Sequence, residues 1–180
     1  MASAFTHAFF AAAMGKVYTA ARRPARFWLL SMLCAVLPDV DVLAFAFGVP
    51  YGSMFGHRGL THSLAFALAL AFAFVALFFG DAPDRRALVL FFFLVTASHG
   101  ALDALTNGGP GVAFFAPFSG ARYFFPFRPI VVSPIRPGDF FSAWGLAVIE
   151  SELLWVWLPA ASVVGVVLIF RRLRGRQPKT

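Results

Sequence analysis

The chain has 180 residues, of which 60% are apolar, 17% aromatic and 13% charged, with 24 phenylalanines and a formal charge of +7. Soluble domains run about 45–50% apolar and about 25% charged, so this composition excludes a disordered chain and argues against an ordinary soluble domain. It predicts an all-α, polytopic membrane bundle in which residues 1–180 form one domain. The basic residues stand singly or in short clusters between apolar stretches, and a nucleic-acid partner, which needs a gathered basic face, is not expected.

About 20 mostly apolar residues are needed to cross a bilayer, and five stretches are candidates. Phe5–Ala21 is short and Ala-rich; Met1–His7 holds no Lys or Arg, so it is read as a retained helix and not a signal peptide. Phe27–Val49 contains Pro38, Asp39 and Asp41. Leu60–Phe79 carries no charge, Ala87–Thr106 carries His99 and Asp103, and Ser142–Phe170 carries Glu150, Glu152 and Pro159. Arg22, Arg23 and Arg26 follow the first stretch, Arg85 and Arg86 the third, and Arg171, Arg172, Arg174, Arg176 and Lys179 the fifth. With five crossings these lie on one side, which the positive-inside rule makes cytoplasmic, with a cytoplasmic C-terminus. The opposite side receives the Pro- and Phe-rich loop Asn107–Phe141, whose prolines forbid a long helix. Its aromatics predict a structured cap over the helix ends or in the headgroup layer.

This orientation rests on Lys and Arg alone, yet it brings His7, Asp39, Asp41, His57, His62, His99 and Asp103 to one outer level. The second stretch has twelve Leu, Phe and Val residues, worth roughly 4–7 kcal/mol of insertion, against about 5–7 for two central carboxylates. Such a pair needs a partner, and a metal ion is the natural one. His99 and Asp103 are four apart, on one helix face. Pro38 should break or bend its helix so that Asp39 and Asp41 both turn inward. Thr61 is a candidate N-cap that would set His62 at a helix start. His and carboxylate ligands suit Zn²⁺, Mn²⁺ or Fe²⁺; bis-His haem on His7 and His99 would leave the carboxylates unexplained. Glu150 and Glu152 are two apart, so one at most faces the site as ligand or general base.

Thr6-His7, Leu37-Pro-Asp-Val-Asp41, His57-Arg-Gly-Leu-Thr-His62-Ser and Ser98-His-Gly-Ala-Leu-Asp103 together resemble the YdjM/YbcI-type family of inner-membrane proteins. That family is described as metal-dependent hydrolases, and the resemblance implies that the same seven His and Asp residues form the metal site. A more distant similarity is to zinc-dependent phospholipase C and the S1/P1 nucleases, although their His-x-x-x-Glu ligand pair has no match here. The resulting expectation is a bacterial inner-membrane hydrolase using a divalent metal, Zn²⁺ first, on a lipid or lipid-linked phosphoester. Asp39 or Asp41 would bridge metals or take a proton from water. Arg58, Arg122, Arg128 and Arg136 are candidates to bind the phosphate. The alternative is a non-catalytic metal-binding membrane protein or a transporter. The apolar inner halves of the spans argue against a through-path.

Overall fold

Residues 1–19 and 21–174 are described from a computed structural model of the chain. Five helices follow one another: α1 (Ala4–Tyr18), α2 (Ala25–Phe47), α3 (Leu64–Phe78), α4 (Arg85–Ala104) and α5 (Ala143–Arg174). Single 3₁₀ turns occupy Leu60–His62 and Pro137–Phe140. There is no strand among the described residues, only the isolated bridges Thr106–Ile130 and Val112–Tyr123.

Local chemistry sets the helix ends. Ser3, Ser63 and Ser142 cap α1, α3 and α5, accepting from the backbone N–H of Thr6, Phe66 and Trp144. The α3 cap is therefore Ser63 and not Thr61, whose hydroxyl donates elsewhere. Helix α2 is α-helical only to Val36; from Leu37 to Phe47 it continues as 3₁₀. Pro38 lacks the N–H an α-helix would use, and the tighter winding follows it. In 3₁₀ geometry residues two apart stand about 120° apart, closer than the roughly 160° of an α-helix. Asp39 and Asp41 are accordingly both buried. Gly48, at φ +73°, ends the segment in the left-handed region. Helix α5 carries a π turn at Leu153–Trp157, immediately after Glu152.

Three helices, α2, α4 and α5, are long and apolar enough to cross a membrane; α3 is a shorter apolar helix. Helix α1 has 15 residues, about 22 Å at 1.5 Å per residue. The outer faces are apolar, with Phe72, Leu77, Leu90, Leu94, Val166 and Ile169 all exposed. That is the surface of a protein solvated by lipid.

One end of the bundle is an apolar core. Phe27, Leu30, Phe91, Phe92, Leu88 and Val95 pack there with Ala71, Val75 and Phe79 of the α3 side. Small residues Ala67 and Ala71, one turn apart, let α3 lie close along α4. Lys16, Arg22, Arg23, Arg85, Arg86, Arg171 and Arg172 gather at this end. Arg171 donates to the carbonyls of Lys16, Val17 and Thr19, which the end of α1 leaves free, and Arg23 pairs with Asp84. Ala20, Arg176 and Lys179 lie outside the described residues.

At the other end the Pro- and Phe-rich segment is held against the helices by backbone bonds. Asn107 donates to Ile130, Phe125 to Ala104, Ala113 to Arg58 and Leu64 to Phe114. Within it Val112, Ala113, Ala116 and Ile130 are buried, while Phe118 and Phe141 are each 89% exposed.

Candidate metal centre

His7, Asp39, Asp41, His57, His62, His99 and Asp103 meet beneath this segment, and all seven are buried. They come from α1, the 3₁₀ half of α2, the loop before α3 and the end of α4. Two groups have ligand atoms within 4.8 Å of one another: Asp39, His57, His62 and Asp103, and His7, His99 and Asp103. Asp103 belongs to both. Its Oδ1 lies 3.4 Å from His7 Nε2 and its Oδ2 lies 3.6 Å from His62 Nε2.

Neighbouring groups decide which ring nitrogens are bare. His99 Nδ1 is 2.6 Å from the Ala35 carbonyl, which can only accept, so Nδ1 carries the proton and Nε2 faces the site. The Thr61 hydroxyl donates to Asp41 Oδ2 at 2.6 Å, and His62 Nδ1 lies 3.2 Å from the same oxygen. His62 thus donates through Nδ1, to Asp41 Oδ2 or to the Thr61 oxygen 3.0 Å away, and turns inward an Nε2 that is bare in the neutral ring. His57 Nδ1 is 2.7 Å from Asp41 Oδ1, leaving its Nε2 unpartnered. Burial pushes the His57 pKa below its ordinary value, against the opposing pull of Asp41.

The consequence is a convergence of lone pairs. His62 Nε2 and His99 Nε2 are 3.0 Å apart, and Asp39 Oδ1 lies 3.6 and 3.3 Å from them. No contact of either Asp39 oxygen or either His7 nitrogen has hydrogen-bond geometry, although His99 Nε2 lies 3.3 Å from Asp39 Oδ1 and Asp103 Oδ1 lies 3.4 Å from His7 Nε2. Buried polar atoms left so are costly, by about 1–3 kcal/mol each and more for charged groups. One added proton would serve one of these contacts and leave the others. The donor set therefore fits a cation: the buried His/Asp cluster could hold a metal ion. Asp41 stands behind it, orienting His57 and His62 as a carboxylate does behind metal-bound histidines.

Of the remaining predicted residues, Arg58 touches the cluster and the others lie outside it. Arg58 is fully buried; its Nε donates to Asp103 Oδ2 at 3.1 Å and its other nitrogens to Gly108, Pro110 and Thr106. Its φ of 62° places it in the left-handed region, uncommon for a side chain of this size. Arg122 donates to the carbonyls of Tyr51, Ser53, His57 and Gly111 and so ties the His57 loop to the cap. Arg128 lies 4.7 Å over the Phe124 ring. Arg136 is exposed on a cleft of about 350 Å³ that reaches His57 and is also lined by Tyr51, Gly109 and Trp144.

Glu150 is exposed, and Glu152 is buried without joining either group. Glu152 accepts from Ser3 N, Ser3 Oγ and Thr6 Oγ1 at 2.5, 2.6 and 2.7 Å. Trp157 Nε1 donates to the same Thr6 hydroxyl at 2.6 Å. This clamp holds the start of α1 so that Ala2 N reaches Asp103 at 2.7 Å and the His7 ring stacks on His99 at 3.8 Å. Sequence reasoning did not single out Ser3 or Tyr51. The one local sign of the clamp is a hydroxyl, Thr6, beside His7 at the head of an apolar helix.

The sequence matches the family described as YdjM inner membrane protein over residues 1–174. It is 41% identical over 152 residues to the inner membrane protein YbcI of Escherichia coli (strain K12), covering 83% of this chain and 87% of that relative. No solved structure matches the chain.

Proposed function

Because the chain belongs to the YdjM inner membrane protein family, we propose that its buried cluster is the centre of a membrane-bound, divalent-metal-dependent hydrolase, with Zn²⁺ the first candidate. The convergence of bare His62 Nε2, His99 Nε2 and Asp39 Oδ1 carries the proposal. Asp39, His57, His62 and Asp103 would hold one ion, and His7, His99 and Asp103 a second. A divalent ion supplies Lewis acidity and a bound water of pKa about 7.

The protein's own groups do the rest. Asp41 and the Ala35 carbonyl keep the imidazoles in the tautomers that leave Nε2 free. Arg58 offsets the charge of Asp103 and fixes its plane. Asp39, neither of whose oxygens has a hydrogen-bond partner, would accept a proton at the site. Glu152 is committed to Ser3 and Thr6 and takes no part in proton transfer. The cleft ending at His57 admits the substrate, with Arg136 on its wall to meet an anion. In a membrane protein that anion is a lipid or lipid-linked phosphoester.

The proposed topology has five crossings, with the basic end cytoplasmic and the cluster opening outward. Support comes from the gathering of Arg22, Arg23, Arg171 and Arg172 at the end remote from the cluster. Assay of the detergent-purified protein against phosphodiester and phospholipid substrates, beside His99→Ala and Asp103→Asn, tests the reading. Hydrolysis by the wild type alone supports it. Bound metal with no hydrolysis of any ester favours a structural metal, which protein ligands close on every side.

A further inference from the structure

A second polar site lies at the opposite end of the molecule. Between the end of α1, the start of α2 and the last turns of α5 is a pocket of about 480 Å³. Lys16, Arg22, Arg23, Arg171 and Arg172 line it together with Trp28, and no carboxylate does so among the described residues. Two of the five cations are engaged. Arg171 caps the α1 carbonyls, and Arg23 is paired with Asp84 on the far side. Lys16 lies 4.8 Å over the Trp28 ring, while Arg22 and Arg172 are exposed with no carboxylate of the described residues within ion-pair distance.

Like charges held together by the fold repel one another unless an anion joins them. Arg171 cannot swing away, because its guanidinium is fixed by three carbonyls of α1. The floor is amphipathic: Trp28 offers an indole of the kind that settles at the membrane interface, and Leu168 continues the wall into the apolar belt. A pocket lined by five cations, an indole and the exposed Leu168 matches a molecule with an anionic head and an apolar tail.

We propose that this pocket binds the headgroup of an anionic phospholipid, the phosphate lying among Lys16, Arg22 and Arg172. Each basic residue near such a surface contributes about a factor of five in affinity. The site is independent of the metal centre and of any hydrolysis there.

The test uses full-length protein in detergent, with native mass spectrometry and titration of phosphatidylglycerol and phosphatidylcholine. Wild type is expected to retain phosphatidylglycerol at least about tenfold more tightly. Lys16→Gln/Arg22→Gln/Arg172→Gln together should abolish that preference and leave metal content unchanged. Arg22→Gln alone, in an exposed turn, should weaken it about fivefold and serves if the triple variant does not fold. Equal retention of the two lipids, or an unchanged preference in both variants, overturns the proposal. Displacement of the lipid by inorganic phosphate at matched concentration also overturns it, since the pocket would then be a simple anion site.

Discussion

At the basic end of the bundle Phe27, Phe91 and Phe92 pack face to face and edge to face with ring centroids 4.9–6.1 Å apart, and the buried hydroxyls of Ser31 and Thr96 are each bonded to a carbonyl of their own helix. At the other end four histidines, three aspartates and an arginine are buried together, and five nitrogen and oxygen atoms of His7, Asp39 and His57 have no partner. The first end is held by apolar packing. The second buries lone pairs aimed at one another, with Arg58 and the Met1 ammonium against Asp103, and could hold a metal ion. Burying ionisable groups in a membrane protein is expensive, so such a cluster is a candidate functional site.

The sharpest way to break this contrast is to remove Asp103. Asp103→Ala takes a ligand from both metal groups and leaves Arg58 buried and unpaired, so it is expected to lose metal and about 3–5 kcal/mol of stability. Metal analysis and thermal melting, with and without added Zn²⁺, read both effects. Phe92→Ala should be destabilising by a comparable amount, about 3–5 kcal/mol, with the metal content intact. If Phe92→Ala emptied the site, the two ends would not be separable.

Smaller effects sharpen the comparison. Glu152→Gln keeps the shape of the clamp on Ser3 and Thr6 but removes its charge, loosening His7. Metal affinity should fall about 10–100-fold, as for other groups that orient ligands, in a competition titration with a chelator. A merely structural role would lower the melting temperature and leave the affinity alone. At the opposite end Arg23→Gln should change stability by less than about 1 kcal/mol, since its pair with Asp84 is partly solvated. Arg23 holds the Asp84 carboxyl below its ordinary pKa. The pair therefore contributes above the unfolded pKa of Asp84 and is lost as pH falls through the lower folded value. Acid melting of the wild type should show this loss, and Arg23→Gln should not.

The helical class and the convergence of seven His and Asp residues were legible in the sequence, because an ionisable side chain in an apolar stretch stands out. Pro38 announced the change of winding that turns Asp39 and Asp41 inward. What the sequence hid were residues whose partners are remote along the chain. Arg58 looks like any loop arginine until Asp103 and Thr106 are folded onto it. Glu152 reads, like Glu150, as a candidate ligand or general base until the start of α1 arrives 146 positions away to engage it through Thr6. Thr61 resembled a helix cap because Ser63, two residues on, offers the same chemistry; only the Asp41 oxygen distinguishes them. Local pattern reports which groups are costly to bury, and long-range contact decides what each does.

The most direct test is elemental analysis of the purified wild-type protein beside His99→Ala and Asp103→Asn, without chelator at any step. The cluster predicts tightly held divalent metal at one or two equivalents in the wild type and its loss from both variants. Wild-type protein that folds, carries no metal and takes up none from added Zn²⁺, Mn²⁺ or Fe²⁺ would contradict it.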